Sequence, residues 1–158
     1  MHLTLKFLGN VGEDKLPEIV ATLSRLGSEM QPFEVALTRP DAFPHKHRAR
    51  VVFVSVQASL ALSGLYRAVE ERLGALGLDR EHQEYRAHLT LMRLQSSRHL
   101  SRLQDWFNRE CEVTGMSFRV DHFNLYESVL KPSGAEYRVL KSFPLGEESG
   151  ERDQTLTR

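Results

Sequence analysis

A tetrapeptide, His-Leu-Thr-Leu, occurs twice in this chain, at His2–Leu5 and again at His88–Leu91. Each copy alternates polar and apolar residues, which is the pattern of a β-strand with one buried face. In such a strand the histidine and the threonine lie on one face, and the two leucines lie on the other. Any half-buried strand would alternate in this way, but here the same two polar residue types recur in the same order. The repeat therefore predicts two related strands in one fold.

The segments that follow each copy predict a duplicated α+β arrangement. After the first copy we expect a helix at Asp14–Met30, a strand at Phe33–Thr38, a loop containing Pro40 and Pro44, a strand at Val51–Val56 and a helix at Ser59–Leu76 ended by Gly77. After the second copy we expect a helix at Arg98–Glu110 and strands at Met116–Tyr126 and Glu136–Leu140, joined by a turn at Lys131–Gly134.

These elements predict an α+β fold with two pseudo-symmetric lobes. Each lobe would be an antiparallel sheet with helices outside, and a cleft would lie between the two lobes. We expect residues 1–145 to form this single two-lobed domain. Residues 146–158 are charged and polar without periodicity, which predicts a disordered tail.

The charge balance and the single cysteine limit the possible partners. Lys plus Arg equals Asp plus Glu, 21 against 21, so nucleic acid would have to be bound at a local site rather than by a large field. Cys111 is the only cysteine, which excludes an intrachain disulfide and favours a reducing, cytoplasmic setting. No apolar run approaches the roughly 20 residues that span a bilayer, so we expect no membrane partner.

The polar faces of the two motifs can perform acid–base chemistry if they meet in one groove. That groove would hold the imidazoles of His2 and His88 and the hydroxyls of Thr4 and Thr90. Histidine has an unperturbed pKa of about 6.5, so near neutral pH one imidazole can accept a proton while the other donates one. The hydroxyls can donate hydrogen bonds to phosphate oxygens. This arrangement suits the opening of a cyclic phosphate and requires no metal or other cofactor. For either copy alone, a structural role is the commoner explanation.

Five segments of the chain carry a family resemblance: His2–Gly9, Arg50–Val54, His88–Arg93, Leu125–Tyr137 and Phe143–Leu145. Through them the chain resembles the two-histidine phosphoesterase superfamily, and within it the RNA 2',3'-cyclic phosphodiesterases, also called 2'-5' RNA ligases. The resemblance implies that His2 is the general acid, that His88 is the general base, and that Thr4 and Thr90 bind the phosphate. The implied reaction opens a terminal 2',3'-cyclic phosphate to a 2'-phosphomonoester, with 2'-5' RNA joining as a related minor activity. RNA ends or cyclic nucleotides would be the partners.

Two features depart from the family pattern. Family members have a proline before the second histidine, where this chain has Ala87, and the change should loosen the entry to the strand. Relatives also carry a strand and a helix before the first motif, which begins here at residue 2. We therefore expect backbone groups of His2–Leu8 to lack a strand partner, with reduced stability or self-association through that edge.

Further basic residues lie close to the motifs, and we keep Arg50 and Arg93 outside the catalytic set. Strict alternation puts Arg93 in phase with Leu89 and Leu91, away from the histidines, unless a bulge redirects it. For Arg50, which precedes a strand, solvent exposure is the commoner explanation. Pro44–Arg48 contains a His-x-His pair but no carboxylate or cysteine at ligand spacing. We interpret it as a basic loop, able to touch RNA phosphates, rather than as a metal site.

Two hypotheses from different classes remain open. The first is an enzyme that hydrolyses RNA-type 2',3'-cyclic phosphates with His2 and His88. The second is an RNA- or nucleotide-binding module that keeps the cleft but has weak or no turnover because the strand beside the first motif is missing. Kinetics with a nucleoside 2',3'-cyclic phosphate in the presence of a chelator would separate them.

Overall fold

A computed structural model describes residues 2–94, 103, 107, 115–131 and 134–146. In chain order the helices and strands are α1 Leu16–Glu29, β1 Phe33–Phe43, β2 Val51–Val56, α2 Leu60–Ala75, β3 His88–Arg93, β4 Ser117–Val120, β5 His122–Lys131 and β6 Gly134–Pro144. Short 3-10 turns occupy Glu13–Lys15 and Lys46–Arg48. The chain divides into two compact units, one formed by Met1–Val11 with Phe33–Arg119 and the other by Gly12–Pro32 with Val120–Arg158.

The first unit contains a four-stranded sheet in the order β3-β2-β1-β4, and β2 runs antiparallel to both β1 and β3. Val52, Phe53 and Val54 of β2 are all buried, as expected for a continuous apolar run in an inner strand. Leu94, Leu103 and Phe107 pack against a cluster of Ala42, Ala49 and Val52. The edge strand β3 is therefore positioned by its pairing with the buried strand β2.

Helix α2 begins and ends where its sequence predicts. The Ser59 hydroxyl accepts a hydrogen bond from the Leu62 backbone N–H at 3.1 Å, which satisfies one free donor of the first turn. Beyond the helix, Gly77 has a φ of +80°, a left-handed conformation that a side chain would strain. The buried apolar residues of α2 lie on one face of the helix: Leu62, Leu65, Val69 and Leu73. None of the described helices is long and apolar enough to cross a membrane.

The second unit packs α1 against the hairpin of β5 and β6. The rings of Phe123 and Phe143 lie 5.1 Å apart in its core, and Ile19 of α1 is fully buried. At Gly27 a Cβ atom would lie 2.5 Å from the Pro144 carbonyl oxygen, so only glycine permits this approach of helix and strand. The α+β class with antiparallel sheets is therefore confirmed.

Strand β1 is longer than predicted, and the expectation of a loop around Pro40 is wrong. The strand continues past Thr38 to Phe43, and its register against β2 shifts by one residue between Leu37 and Pro40. Proline has no N–H for the ladder, and a bulge is one of the few places within a sheet that accepts it. The proline therefore marks an irregularity inside the strand instead of its end.

The closing strands also differ from the prediction. Met116–Tyr126 is not one strand, because β4 ends at Val120 in the four-stranded sheet and β5 starts at His122 in the two-stranded one. The apolar residues change phase there, from Phe118 and Val120 to Phe123 and Leu125, and the prediction of one continuous strand overlooked this break in the alternation. Strand β6 extends beyond the predicted Glu136–Leu140 at both ends.

Some of the predicted elements fall on residues outside the described set. Of the helix predicted at Arg98–Glu110, Leu103 and Phe107 are described and both are helical. The rest of that helix, Cys111, the turn residues Pro132 and Ser133, and residues 147–158 of the predicted tail lie outside the described residues.

Candidate active site

The second motif forms β3, whose register against β2 determines where its side chains lie. His88 pairs with Ser55 and Thr90 pairs with Phe53. Residues two apart in a strand share a face, and directly opposite residues in an antiparallel pair project to the same side. His88 and Thr90 therefore lie on the face of β2 that carries Ser55 and Phe53.

A bulge in β3 changes the phase of the arginine that ends the strand. The pairs are Phe53 with Thr90, Val52 with Met92 and Val51 with Arg93. Leu91 is thus an extra residue between two consecutive pairs, which is the definition of a β-bulge. Beyond the bulge Arg93 is in phase with Thr90, so it lies on the same face as His88. The bulge is the exception to strict alternation under which Arg93 leaves the phase of Leu89 and Leu91. The phase of Arg93 depends on how β3 pairs with β2, and the alternation of residue types in the sequence does not reveal that pairing.

The His88 ring is held by two aromatic rings and one backbone carbonyl. Its centroid lies 5.0 Å from that of Phe53 and 5.2 Å from that of Phe43, the latter ring nearly perpendicular to it. Its Nδ1 atom lies 2.7 Å from the Arg86 carbonyl oxygen. A carbonyl oxygen only accepts hydrogen bonds, so Nδ1 carries the hydrogen in this contact. In the neutral ring Nε2 is then the atom with the free lone pair, and it can accept a proton.

The first motif is joined to the second by a single antiparallel bridge between Leu3 and Leu89. The strand predicted from the first motif is therefore wrong in extent, since none of Thr4–Leu8 belongs to a ladder. Continuing the antiparallel register by one residue on each side sets His2 opposite Thr90, and Thr4 opposite His88. The four predicted site residues are thus on adjacent segments.

Both motifs belong to the first compact unit. A tetrapeptide repeat shows that two segments are alike, but it does not show whether they pair directly or through a symmetry axis.

Lys6, instead of Phe7, is the buried residue that follows the first motif. Its side chain is 4% exposed and its Nζ atom lies 2.8 and 2.9 Å from the two carboxylate oxygens of Glu70. The same ammonium donates to the Asp79 carbonyl oxygen at 2.6 Å, and the Glu81 N–H donates to Glu70. These bonds offset the cost of burying both charges. Strict alternation would put Phe7 on the apolar face with Leu3 and Leu5, but Phe7 is 74% exposed.

Tyr85 fixes the first motif at its threonine. Its hydroxyl donates a hydrogen bond of 3.2 Å to the Thr4 carbonyl oxygen, and its ring stacks on Tyr66 at 4.1 Å. Burial, followed by the neighbouring Tyr66, raises the pKa of Tyr85 well above the usual range. Burial also raises the pKa of Tyr66, with smaller contributions from Glu70 and Glu81. Both phenols therefore stay protonated at neutral pH, and the donor to Thr4 is permanent.

Replacing Tyr85 with phenylalanine should remove this bond while keeping the stacked ring. We expect the free energy of unfolding to fall by about 1 kcal/mol, the usual value of one hydrogen bond. Urea denaturation followed by circular dichroism measures it. Tyr66→Phe is the matched control, since it makes the same change in the other ring of the stack and should stay within about 0.5 kcal/mol of the parent. An equal loss in both variants would contradict a specific role for the Tyr85 bond.

A recess of about 220 Å³ lies beside the second motif. Its lining includes Phe53, Ser55, Ser63, Tyr85 and Arg86. Because Phe53 also contacts the His88 ring, a group bound in the recess would lie next to that histidine. The hydroxyls of Ser55, Ser63 and Tyr85 and the Arg86 guanidinium give the recess hydrogen-bonding capacity. Its volume is below the roughly 300 Å³ at which sites for drug-sized ligands begin, so it suits a small polar group.

The other sequence candidates are all on the surface. Arg50 is exposed, as expected, at the start of β2. His45 and His47 have ring centroids 6.2 Å apart in the turn between β1 and β2. Among the residues that the structure describes, no group of three or more His, Cys, Asp or Glu side chains is placed to hold a metal ion.

Comparison with known proteins gives one consistent result. The family model described as the 2'-5' RNA ligase superfamily matches residues 1–131. The chain is 32% identical over 143 residues to an RNA 2',3'-cyclic phosphodiesterase of Methanocaldococcus jannaschii, covering 90% of this chain and 79% of that protein. It is 34% identical over 143 residues to the protein of the same name from Archaeoglobus fulgidus, with 90% and 78% covered. A crystal structure from Thermus thermophilus, that of TT0787, superposes with a TM-score of 0.74 at 29% identity, covering 92% of this chain and 79% of that one.

The fold is that of a two-histidine phosphoesterase. Within that class, the chain belongs to the 2'-5' RNA ligase superfamily. The resemblance drawn from the five sequence segments is confirmed.

Proposed function

We propose that this protein hydrolyses RNA 2',3'-cyclic phosphate ends to 2'-phosphomonoesters by acid–base catalysis from two histidines. The bridge between Leu3 and Leu89 carries the proposal, because it joins the two segments that contain the His-x-Thr motifs. The names of the relatives from Methanocaldococcus jannaschii and Archaeoglobus fulgidus support the same reaction.

In the proposed reaction His88 is the general base and His2 is the general acid. A water molecule attacks phosphorus and gives its proton to Nε2 of His88, the P–O3' bond breaks, and His2 gives a proton to the departing O3' atom. The contact between Nδ1 of His88 and the Arg86 carbonyl supports the base assignment, since it leaves Nε2 as the acceptor. The free proton acceptor and the proton donor are then on adjacent segments.

The phosphate would be held by Thr4, Thr90 and Arg93. Two hydroxyl donors and one guanidinium can bind the non-bridging oxygens as negative charge builds up in the transition state. Arg93 joins this set because the bulge at Leu91 places it in phase with Thr90. We infer that its charge acts on the reacting phosphate.

Replacing Arg93 with glutamine should lower kcat/KM for a nucleoside 2',3'-cyclic phosphate by about 100-fold, the usual cost of losing one transition-state donor. Lysine at this position should recover only part of the loss, because it keeps the charge but not the planar fork. Arg67→Gln, an exposed arginine of α2, removes the same charge as a control. Steady-state kinetics measure kcat/KM for the parent and for each variant. Equal activity of Arg93→Gln and Arg67→Gln would show that Arg93 does not act on the reacting phosphate.

The direct test of the proposed function is hydrolysis of uridine 2',3'-cyclic phosphate in the presence of a chelator. We expect turnover that the chelator does not reduce. Binding of the nucleotide without any product would favour the binding module instead. Inhibition by the chelator would contradict catalysis by the side chains alone.

Three accompanying expectations stay predictions. They are the minor 2'-5' joining of RNA, a cytoplasmic location, and self-association through the first motif. For the last, the support is that none of Thr4–Leu8 belongs to a β-ladder. Exposed backbone groups of this kind can pair with a second chain.

A further inference from the structure

The turn between β1 and β2 is the most strongly basic segment of the first unit. Residues 44–50, called here the basic turn, contain Lys46, Arg48, Arg50 and two histidines but no Asp or Glu. The whole chain is balanced at 21 cationic and 21 anionic residues, so this is a local excess of positive charge. On a protein without net charge, a local excess of positive charge indicates a specific anionic partner rather than a general attraction to polyanions.

The backbone of the basic turn is fixed to the strands that form the candidate site. The Arg50 N–H donates to the Phe43 carbonyl oxygen at 2.7 Å, and the Leu94 N–H donates to the Arg50 carbonyl oxygen at 2.8 Å. The turn therefore starts at Phe43, whose ring contacts His88, and ends beside Arg93, since Val51 pairs with Arg93. Ala49 is buried and anchors the end of the turn.

The charged side chains of the basic turn are available to a partner. Arg48 and Arg50 are exposed, and neither forms a salt bridge with a carboxylate in the described part of the chain. Lys46 differs, because its Nζ atom lies 5.2 Å from the centroid of the Phe107 ring. Arg86, exposed and stacked at 5.1 Å over the Phe43 ring, adds a further cation on the side of His88. Arg86 therefore lies at Phe43, the residue at which the basic turn begins.

We propose that the basic turn binds the RNA strand that leads to the reacting end, through the phosphates that precede the cyclic phosphate. This rests on the proposed function, because the terminal phosphate has to lie beside His88 for the strand to reach the turn. A cyclic phosphate on a single nucleoside uses only the site itself. A longer strand adds further phosphates, and each one that is neutralised by an arginine releases counterions and gains affinity. The protein should therefore prefer an oligonucleotide to a mononucleotide.

The test compares two substrates in one double variant, Arg48→Gln with Arg50→Gln. The substrates are uridine 2',3'-cyclic phosphate and an RNA of about ten nucleotides that ends in a 2',3'-cyclic phosphate, a length within the usual span of a single-strand site. We expect kcat/KM for the oligonucleotide to fall about 10-fold, while hydrolysis of the mononucleotide is unchanged. The slope of log kcat/KM against log salt for the oligonucleotide should also fall by about 1.4, or about 0.7 for each lost phosphate contact.

The matched control is Arg25→Gln with Arg67→Gln, which removes two exposed helical arginines and the same total charge. It should leave both substrates unaffected. An equal loss on both substrates in the Arg48/Arg50 variant, or a loss on neither, would overturn the proposal. So would an equal loss on the oligonucleotide in the control.

Failure of the proposed function would be distinguishable from failure of this inference. If the parent protein hydrolyses neither substrate, the function fails, and binding still decides the role of the turn. Fluorescence anisotropy with a labelled RNA of the same length, ending in a 2'-phosphate, then measures Kd directly. A Kd raised about 10-fold in the Arg48/Arg50 variant would support the turn as the strand-binding surface. An unchanged Kd would overturn it.

Discussion

Replacing His88 with alanine is expected to lower kcat for a nucleoside 2',3'-cyclic phosphate by about 1,000-fold, the usual contribution of a general base. The reason is specific to this ring. The Arg86 carbonyl occupies Nδ1, so Nε2 is the one ring atom placed to take a proton from water. The neighbouring rings of Phe43 and Phe53 cannot replace it. Stopped or continuous product assays at neutral pH measure the loss.

His2→Ala should lose activity to a similar extent, and the double variant should lose little more. Residues that act as one catalytic unit are strongly non-additive, because removing either partner already stops the coupled proton transfers. His82→Ala is the control, since His82 is exposed and lies outside both motifs. If either single variant retained most of the parent activity while His82→Ala behaved like the parent, the two-histidine assignment would be contradicted.

The second large effect is expected on stability, at the buried pair of Lys6 and Glu70. Glu70→Ala should lower the free energy of unfolding by about 3–5 kcal/mol, because it leaves the Lys6 ammonium buried without its carboxylate. The side chains are only 4% and 11% exposed, so solvent screens the pair little. Urea denaturation gives the free energy from the midpoint and slope.

The matched variant of this pair is Lys6→Met combined with Glu70→Leu. It replaces both charges with apolar groups of similar volume, and such a replacement is commonly neutral or stabilising. We therefore expect the double variant to be far more stable than Glu70→Ala. If Glu70→Ala cost less than about 1 kcal/mol, the pair would not be what holds the segment after the first motif, and the account of its burial would be wrong.

Much of the fold follows from local patterns in the sequence. Helix α2 lies between the Ser59 cap and Gly77, and β2 coincides with the apolar run Val51–Val56. Both depend on interactions within a few residues, which a sequence displays directly. The pairing of histidine with threonine in each motif is also local, and it was enough to select the four candidate site residues.

What the sequence could not show depends on register and on distant partners. The phase of Arg93 follows from a bulge at Leu91, and that bulge exists only relative to β2. The burial of Lys6 depends on Glu70, 64 residues further along the chain. Pro40 lies within a strand because a register shift accommodates it. In each case an ordinary local preference gives way to a tertiary contact.

The most direct test of the central claim is to identify the product formed from uridine 2',3'-cyclic phosphate by phosphorus NMR, with a chelator present throughout. The two-histidine account predicts that the signal of the cyclic phosphate is replaced by that of uridine 2'-phosphate alone. Formation of the 3'-phosphate would show that the P–O2' bond breaks instead and would contradict the assignment of O3' as the leaving oxygen. A cyclic phosphate signal that persists unchanged with the parent protein would contradict the proposed function itself.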